Sequence, residues 1–129
     1  QGADIVLYPT AIGSGLGGGG DLLTGNDSVN AWRNAMCGHA ACNIMPVVTS
    51  NRIGREYMTE DRKSHLDFYG NSFIADHEGQ VVEQAARDQE EVLVHRFDFQ
   101  KVKEYRDSWA VFRDRRPDLY GALTTLDGG

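Results

Sequence analysis

Short apolar runs separated by polar turns organise most of this 129-residue chain. Residues 3–8 form an apolar run, interrupted only by Asp4, that ends at Pro9, and a run without alternation is typical of a strand buried on both faces. The polar triplet 26–28 is a helix N-cap signal, which predicts a helix from Val29 to about Asn43. A second buried strand is predicted over residues 44–49.

The middle of the chain carries the signals of an antiparallel meander. A strand is predicted over Leu66–Ala75, with a kink or bulge at Gly70-Asn71. Glu78-Gly79 is typical of a hairpin turn that leads into Val81-Val82. A third strand is predicted at Val92–Val94. Mixed with the helices, these strands predict an α+β fold.

Asp98 is a good N-cap for a second helix, predicted from Phe99 to about Ser108. Residues 109–129 follow as an extended C-terminal tail without periodicity, and its apolar side chains need a surface to dock on. Residues 51–54 are predicted as a turn, and residues 59–64 as a loop tip.

Residues 13–25 form a glycine-rich segment, for which we predict a mobile or irregular loop. A phosphate-binding loop is the less favoured interpretation, because no Gly-Lys-Ser or Gly-x-Gly-x-x-Gly pattern leads into an apolar helix. The length of the chain has room for one domain.

Composition excludes several function classes. The net charge of −6 argues against nucleic-acid binding, and no apolar run approaches the roughly 18 residues of a membrane span. The basic cluster Arg113, Arg115 and Arg116 is interrupted by Asp114 and Asp118, so we interpret it as ion-paired or solvated.

Cys37 and Cys42 are the two cysteines, and without a visible secretory signal they fit a reducing compartment such as the cytoplasm. Five residues apart on a helix, they point to opposite sides, which disfavours a disulfide. The four histidines are scattered, so we predict no metal site and no cofactor.

Four segments resemble the C-terminal half of the carbon-nitrogen hydrolase, or nitrilase, superfamily, in particular the branch that hydrolyses N-carbamoylputrescine. They are Tyr-Pro-Thr-Ala-Ile-Gly-Ser at 8–14, Ser-Asn-Arg-Ile-Gly-Arg-Glu at 50–56, Phe-Tyr-Gly-Asn-Ser-Phe-Ile-Ala at 68–75 and Phe-Arg-Asp-Arg-Arg-Pro-Asp-Leu-Tyr at 112–120. The resemblance implies that residues 1–129 are the C-terminal part of one hydrolase domain.

The resemblance also implies an architecture. The family fold is a four-layer αββα sandwich, of which this chain would supply half. Family members commonly assemble as dimers or larger spirals. The expected partners are therefore an N-terminal half, further copies or other subunits of a larger assembly.

The family's chemistry uses a Glu-Lys-Cys triad. A thiolate attacks the carbamoyl carbon, a carboxylate transfers protons and an ammonium stabilises the oxyanion. The resemblance implies hydrolysis of a carbamoyl amine to putrescine, carbon dioxide and ammonia, a step of polyamine biosynthesis. It places all three catalytic residues upstream of Gln1, so none is assigned here, and Cys37 and Cys42 are interpreted as small buried thiols of helix packing.

By resemblance, Thr10 and Ala11 line the substrate pocket. An acidic residue that holds the distal amine of the substrate follows Gly-Ser in the family, whereas Gly15 stands there in this chain; Asp21 is an alternative carboxylate. Asn51, together with Arg52 and Glu56, is interpreted as bracing the fold through buried polar pairing.

Two functional hypotheses follow. The chain is one part of an amidase whose triad lies elsewhere, or it is a non-catalytic structural or assembly subunit with a nitrilase-like half-fold. The start at Gln1-Gly2-Ala3-Asp4, which leads directly into a core strand, favours the first.

Overall fold

The computed structural model describes residues 2–14 and 28–128, which form two sheets and two helices. The helices are α1 (Val29–Asn43) and α2 (Phe99–Trp109). The strands are β1 (Val6–Thr10), β2 (Gly13–Ser14), β3 (Val47–Asn51), β4 (Ile53–Tyr57), β5 (His65–Tyr69), β6 (Phe73–Ala75) and β7 (Val81–Gln84). The α+β class predicted from the sequence is confirmed.

The larger sheet has the strand order β1-β3-β6-β7. β1 and β3 pair in parallel, Val6 opposite Val47, and α1 makes the crossover between them. Because side chains alternate along a strand, β1, β3 and β6 each present one set of residues to α1. The resulting core consists of Val29, Trp32, Ala40, Val47, Tyr69, Phe73 and Ala75.

Trp32 is the centre of this core. Its ring meets Phe73 edge-on, with ring centroids 5.4 Å apart, and it lies tilted against Tyr69 at 6.0 Å. Such aromatic pairs contribute about 0.5–1.5 kcal/mol beyond the apolar area that they bury. The tryptophan thereby fixes α1 over the larger sheet.

A smaller sheet has the order β2-β5-β4, and it contributes Tyr69, the last residue of β5, to that core. The turn predicted over residues 51–54 is wrong, because Arg52 alone separates β3 from β4 and residues 53–57 pair antiparallel with β5. β2 pairs with β5 through Gly13 opposite Phe68. A Cβ on Gly13 would overlap the Asp67 carbonyl, so only glycine permits this close approach.

The strand predicted over residues 66–75 is two strands in different sheets. The kink falls at Gly70 and Asn71, which both have positive φ, 53° and 54°. The Gly70 N–H donates to the Arg52 carbonyl at 2.9 Å and the Asn71 N–H to the Ala86 carbonyl at 3.2 Å. These two residues carry the chain from β5 in the smaller sheet to β6 in the larger one.

Both helices begin at the predicted residues and end within one residue of the predicted ends, but only α2 has the side-chain cap that the sequence predicts. The Asp98 side chain accepts from the N–H groups of Gln100 and Lys101, as expected for an N-cap. Ser28 makes no side-chain cap; its hydroxyl lies 3.1 Å from the Tyr69 hydroxyl. Ile44 ends α1 in a left-handed conformation (φ 48°), so β3 begins at Val47 instead of residue 44.

The three-stranded meander is only partly present. The β6–β7 hairpin around Glu78-Gly79 is confirmed, because β6 and β7 pair antiparallel. Val92–Val94 is not a strand: it pairs with nothing among the described residues. The valines and the leucine of this segment favour a strand, but no strand among the described residues pairs with it.

The tail differs from the extended segment predicted over 109–129. Trp109 is the last residue of α2, and short 3₁₀ helices cover Pro117–Leu119 and Gly121–Thr124. Leu123 and Leu126 remain exposed. The glycine-rich loop predicted over 13–25 begins with β2, and its remainder lies outside the described residues, as does Gly129. No helix in the described ranges is long and apolar enough to cross a membrane.

Replacing Gly38 with alanine is expected to stabilise the protein by about 0.5–1 kcal/mol, because Gly38 lies inside α1 and glycine costs that much in a helix interior. A Cβ at this position meets nothing within 4 Å. Urea unfolding of wild type and Gly38→Ala measures the difference. A lower free energy of unfolding for the variant would show that α1 packs more tightly around Gly38 than described.

Candidate functional site

The candidate site lies at the carboxyl end of β1, in the loop that holds Thr10 and Ala11. The Thr10 hydroxyl donates to the Ser50 carbonyl at 2.7 Å, which ties the end of β1 to the end of β3. Ala11, the next residue, is exposed. Loops at the carboxyl ends of parallel strands are the usual place for ligands in layered folds.

Asn51 holds this loop in place through its side chain. Its amide nitrogen donates to the carbonyls of Ile12 and Gly70, at 2.9 and 3.0 Å, and its amide oxygen accepts from the Ile12 N–H at 2.9 Å. The Asn51 backbone N–H donates to the Ser72 hydroxyl at 2.9 Å. We call these four contacts the Asn51 clasp; it joins the loop, the end of β3 and the crossing between the sheets.

The bracing role predicted for Asn51 is therefore confirmed, but its two companions are not buried. Arg52 and Glu56 form an ion pair of 2.8 Å in which both side chains are about half exposed (55% each). The Arg52 guanidinium also lies over the Phe68 ring, 4.2 Å from its centroid. At such exposure the pair adds little to stability, so the clasp depends on the asparagine.

Asp67 is the carboxylate that the fold places next to the candidate loop, since it lies opposite Ser14 in the β2–β5 pair. Both its oxygens accept hydrogen bonds from Arg55, at 2.5 and 2.8 Å. These hydrogen bonds hold the pKa of Asp67 below its usual range. The Asp67 carboxylate therefore stays ionised but is already paired with the Arg55 guanidinium, which makes it a poor partner for the ammonium group of a substrate. Gly15 and Asp21 lie outside the described residues.

Neither cysteine has the surroundings of a nucleophile. Burial raises the pKa of the Cys37 thiol, and the nearby Arg33 cation only partly opposes this. A raised pKa leaves little thiolate at neutral pH. The interpretation of both cysteines as buried is wrong for Cys42, which is exposed near the end of α1.

Other predicted features carry no site. Arg113 pairs with Asp114 and Arg116 with Asp118, so two of the three arginines of the basic cluster are ion-paired as expected. Arg115 instead donates to the Phe112 carbonyl. Within the described ranges no group of three His, Cys, Asp or Glu side chains could hold a metal ion. The sequence did not reveal the Gly70 carbonyl and the Ser72 hydroxyl as parts of the clasp; the Gly70-Asn71 kink was their only signal.

What the arrangement can do is position a substrate. It offers a rigid loop, an exposed Ala11 and a hydroxyl at Thr10, yet no general base, ammonium or activated thiol converges on the loop from the described residues. Among the described residues this loop therefore offers a surface beside which a ligand could lie, and no reactive group.

Comparison with known proteins identifies the family. The sequence pattern of carbon-nitrogen hydrolases matches residues 1–107, most of the chain. The chain belongs to the carbon-nitrogen hydrolase family.

Two individual members of this family show high sequence identity to the chain. The chain is 51% identical to N-carbamoylputrescine amidase of Arabidopsis thaliana over 99% of its length, and 43% identical to citrullinase of Francisella tularensis over 95%. It spans about two fifths of the curated relatives that it matches, 42% and 40% of these two proteins.

A solved structure agrees with the fold. The carbon-nitrogen hydrolase from Helicobacter pylori G27 superimposes with a TM-score of 0.83 at 32% identity, over 97% of this chain and 42% of the other. The two sheets and the two helices therefore belong to a carbon-nitrogen hydrolase fold.

Proposed function

We propose that this chain is the C-terminal part of an amidase that hydrolyses N-carbamoylputrescine to putrescine, carbon dioxide and ammonia, and that it supplies the Thr10–Ala11 wall of the substrate pocket. The observation that carries the proposal is the 51% identity to N-carbamoylputrescine amidase across 99% of the chain. The Asn51 clasp supports it, because two of its four contacts hold Ile12 in this loop.

The chemistry of amide hydrolysis explains why, in this proposal, the upstream part and this chain have different roles. Water hydrolyses the C–N bond between the carbamoyl carbon and the alkylamine: the carbon keeps the hydroxyl, and the alkylamine leaves with a proton. The carbamic acid that forms then decomposes to carbon dioxide and ammonia. A nucleophile, a proton carrier and a cation for the oxyanion are needed close together. In the proposal these three lie upstream of Gln1, and the described part of the chain holds the substrate against them.

The substrate class is a monosubstituted urea. N-carbamoylputrescine and citrulline both carry a terminal ureido group on an alkyl chain, and the named relatives share this chemistry. They differ in charge at the distal end. Gly15 stands where the resemblance implies a carboxylate for the distal amine, so we propose weaker discrimination between cationic and neutral alkyl ureas than a carboxylate would give.

Nothing in the comparisons favours a non-catalytic structural subunit, since the named relatives are amidases and a citrullinase. Cytoplasmic residence, with both thiols free, and assembly with further copies remain parts of the proposal. The exposed Leu123 and Leu126 of the tail, together with Trp109 at the end of α2, support assembly, because interaction surfaces present apolar side chains to their partners.

The test is a chimera in which the upstream part of the Arabidopsis amidase is fused ahead of Gln1. The chimera is expected to release ammonia from N-carbamoylputrescine, whereas the isolated 129-residue chain stays at the background rate because it has no activated nucleophile. Activity of the isolated chain that disappears on mutating Cys37 or Cys42 would contradict the proposal, as would a folded but inactive chimera.

Ala11→Leu in the chimera tests the pocket wall. The larger side chain is expected to lower kcat/KM for N-carbamoylputrescine by about tenfold or more, mainly through KM, since pockets discriminate single methylene groups by such factors. Ala122→Leu, at an exposed position of the tail, is the matched control and should leave kcat/KM unchanged. Equal values for the two variants would remove Ala11 from the pocket.

A further inference from the structure

A row of three paired residues runs across the smaller sheet and starts at the end of the candidate loop. Ser14, the last residue of β2, lies opposite Asp67 on β5, and Asp67 lies opposite Arg55 on β4. Residues that face each other in an antiparallel pair carry their side chains on the same face of the sheet. The charged side chains of Asp67 and Arg55 therefore lie on the face that carries the Ser14 side chain.

This row lies close to Thr10 and Ala11. Ser14 follows Ala11 by three residues, which is at most about 11 Å of extended chain, and one strand spacing of about 4.8 Å separates Ser14 from Asp67. The Ser14 hydroxyl donates to the Asp67 carbonyl at 3.3 Å and so fixes the loop to β5 at this point. Gly15 follows Ser14 and brings no charged group.

Asp67 and Arg55 form a fixed pair of opposite charges. The Arg55 Nε and Nη2 atoms donate to the two carboxylate oxygens at 2.5 and 2.8 Å, and the third guanidinium nitrogen, Nη1, takes no part in the pair. These hydrogen bonds lower the pKa of Asp67 and raise the pKa of Arg55, so both groups stay charged at neutral pH. The pair is open to a ligand, because 47% of the Arg55 side chain and 30% of the Asp67 side chain are exposed.

We propose that the Arg55–Asp67 pair binds the distal end of the substrate and selects alkyl ureas that end in an α-amino acid group. The carboxylate of such a group accepts hydrogen bonds from the Arg55 guanidinium, and its ammonium donates to the Asp67 carboxylate. A lone ammonium gains less, since it approaches the Arg55 cation together with the Asp67 carboxylate. The inference rests on the proposed function, because it assigns the distal end of the same pocket.

Four alkyl ureas that differ in the charge of the distal end test the pair in the chimera described above. They are N-carbamoylputrescine, 5-ureidopentanoate, L-citrulline and N-butylurea, whose ends are cationic, anionic, zwitterionic and neutral. The chimera is expected to hydrolyse L-citrulline with a kcat/KM about tenfold or more above that for N-butylurea, mainly through a lower KM, because hydrogen bonds to charged groups are the stronger ones. N-butylurea reports in every variant that the chimera is folded and that its triad is assembled.

Two single variants should shift the preference in opposite directions. Arg55→Gln leaves the Asp67 carboxylate unpaired, so kcat/KM should rise for N-carbamoylputrescine and fall for 5-ureidopentanoate, each by about tenfold. Asp67→Asn leaves the Arg55 cation unpaired and should do the reverse, and both variants should lower kcat/KM for L-citrulline by about tenfold. Arg52→Gln and Glu56→Gln are the matched controls and should change none of the four values. They break an ion pair of the same hairpin, but Glu56 follows Arg55 in β4 and therefore points to the opposite face.

Equal changes for all four ureas would give the pair a purely structural role and would overturn the proposal, as would unchanged ratios between them. A chimera that hydrolyses N-carbamoylputrescine without the reversal leaves the proposed function standing, whereas a folded chimera that is inactive on all four ureas overturns both. If the chimera does not fold, the hairpin of residues 53–69, with and without Arg55→Gln, is transplanted into the intact Arabidopsis amidase. The unchanged hairpin should then give a ratio of kcat/KM for L-citrulline to that for N-carbamoylputrescine about tenfold or more above the ratio with Arg55→Gln, and equal ratios would contradict the proposal.

Discussion

Replacing Gly70 with alanine is expected to lower the free energy of unfolding by about 3 kcal/mol, one of the largest effects of any single methyl group in this protein. Gly70 has a φ of 53°, where a Cβ costs about 1–2 kcal/mol. The new Cβ would also lie 2.8 Å from the Ile53 side chain and 2.9 Å from the Ala86 carbonyl, and closer still to the Arg87 carbonyl. Backbone carbonyls cannot rotate away from it.

Gly54→Ala is the matched control, because Gly54 has a φ of 87° but meets nothing within 4 Å of its Cβ. Urea unfolding of both variants separates backbone strain from the overlap. Similar losses in the two would mean that the contacts around the crossing between the sheets relax freely, and that the crossing is less tightly packed than described.

Replacing Asn51 with leucine is expected to cost about 3 kcal/mol or more, because the variant breaks the side-chain part of the Asn51 clasp. The carbonyls of Ile12 and Gly70 lose a donor and the Ile12 N–H loses an acceptor. Each part-buried group left unpaired costs about 1–3 kcal/mol. The same variant in the chimera should also lose activity, since the Thr10–Ala11 loop is no longer held.

Asn43→Leu is the control for Asn51→Leu, since the Asn43 amide makes one exposed hydrogen bond to the His39 carbonyl within α1. Its effect should stay within about 0.5 kcal/mol of wild type, as for ordinary surface substitutions. An Asn51→Leu effect equally small would show that water replaces the asparagine and that the clasp does not fix the loop.

The sequence predicted elements whose signals are local. Asp98 is an N-cap wherever its helix packs, and Glu78-Gly79 suffices to turn a hairpin, because the hydrogen bonds involved join residues only a few positions apart. These features need no knowledge of what lies across the sheet. The candidate loop is different, because the Tyr8–Ser14 motif indicates it through resemblance to a family and not through a local physical signal.

The wrong predictions for β4 and Val92–Val94 concern pairing with distant residues. β4 was taken for a turn because its strand character comes from pairing with β5, not from the composition of Ile53–Tyr57. Val92–Val94 has the composition of a strand but no partner strand among the described residues. Composition therefore predicted a strand where the structure has none. The Asn51 clasp joins residues 39 and 19 positions apart, and no spacing rule announces such contacts.

The parallel pairing of β1 with β3 has a consequence for synthesis of the chain on the ribosome. Val6 must wait until Val47, 41 residues later, has emerged before its ladder can close. At translation rates of about 5–20 residues per second, that delay lasts about 2–8 seconds. During this interval the apolar β1 is exposed and unpaired on the nascent chain, which makes it prone to aggregate. Cotranslational chaperones would have their main opportunity to bind it then.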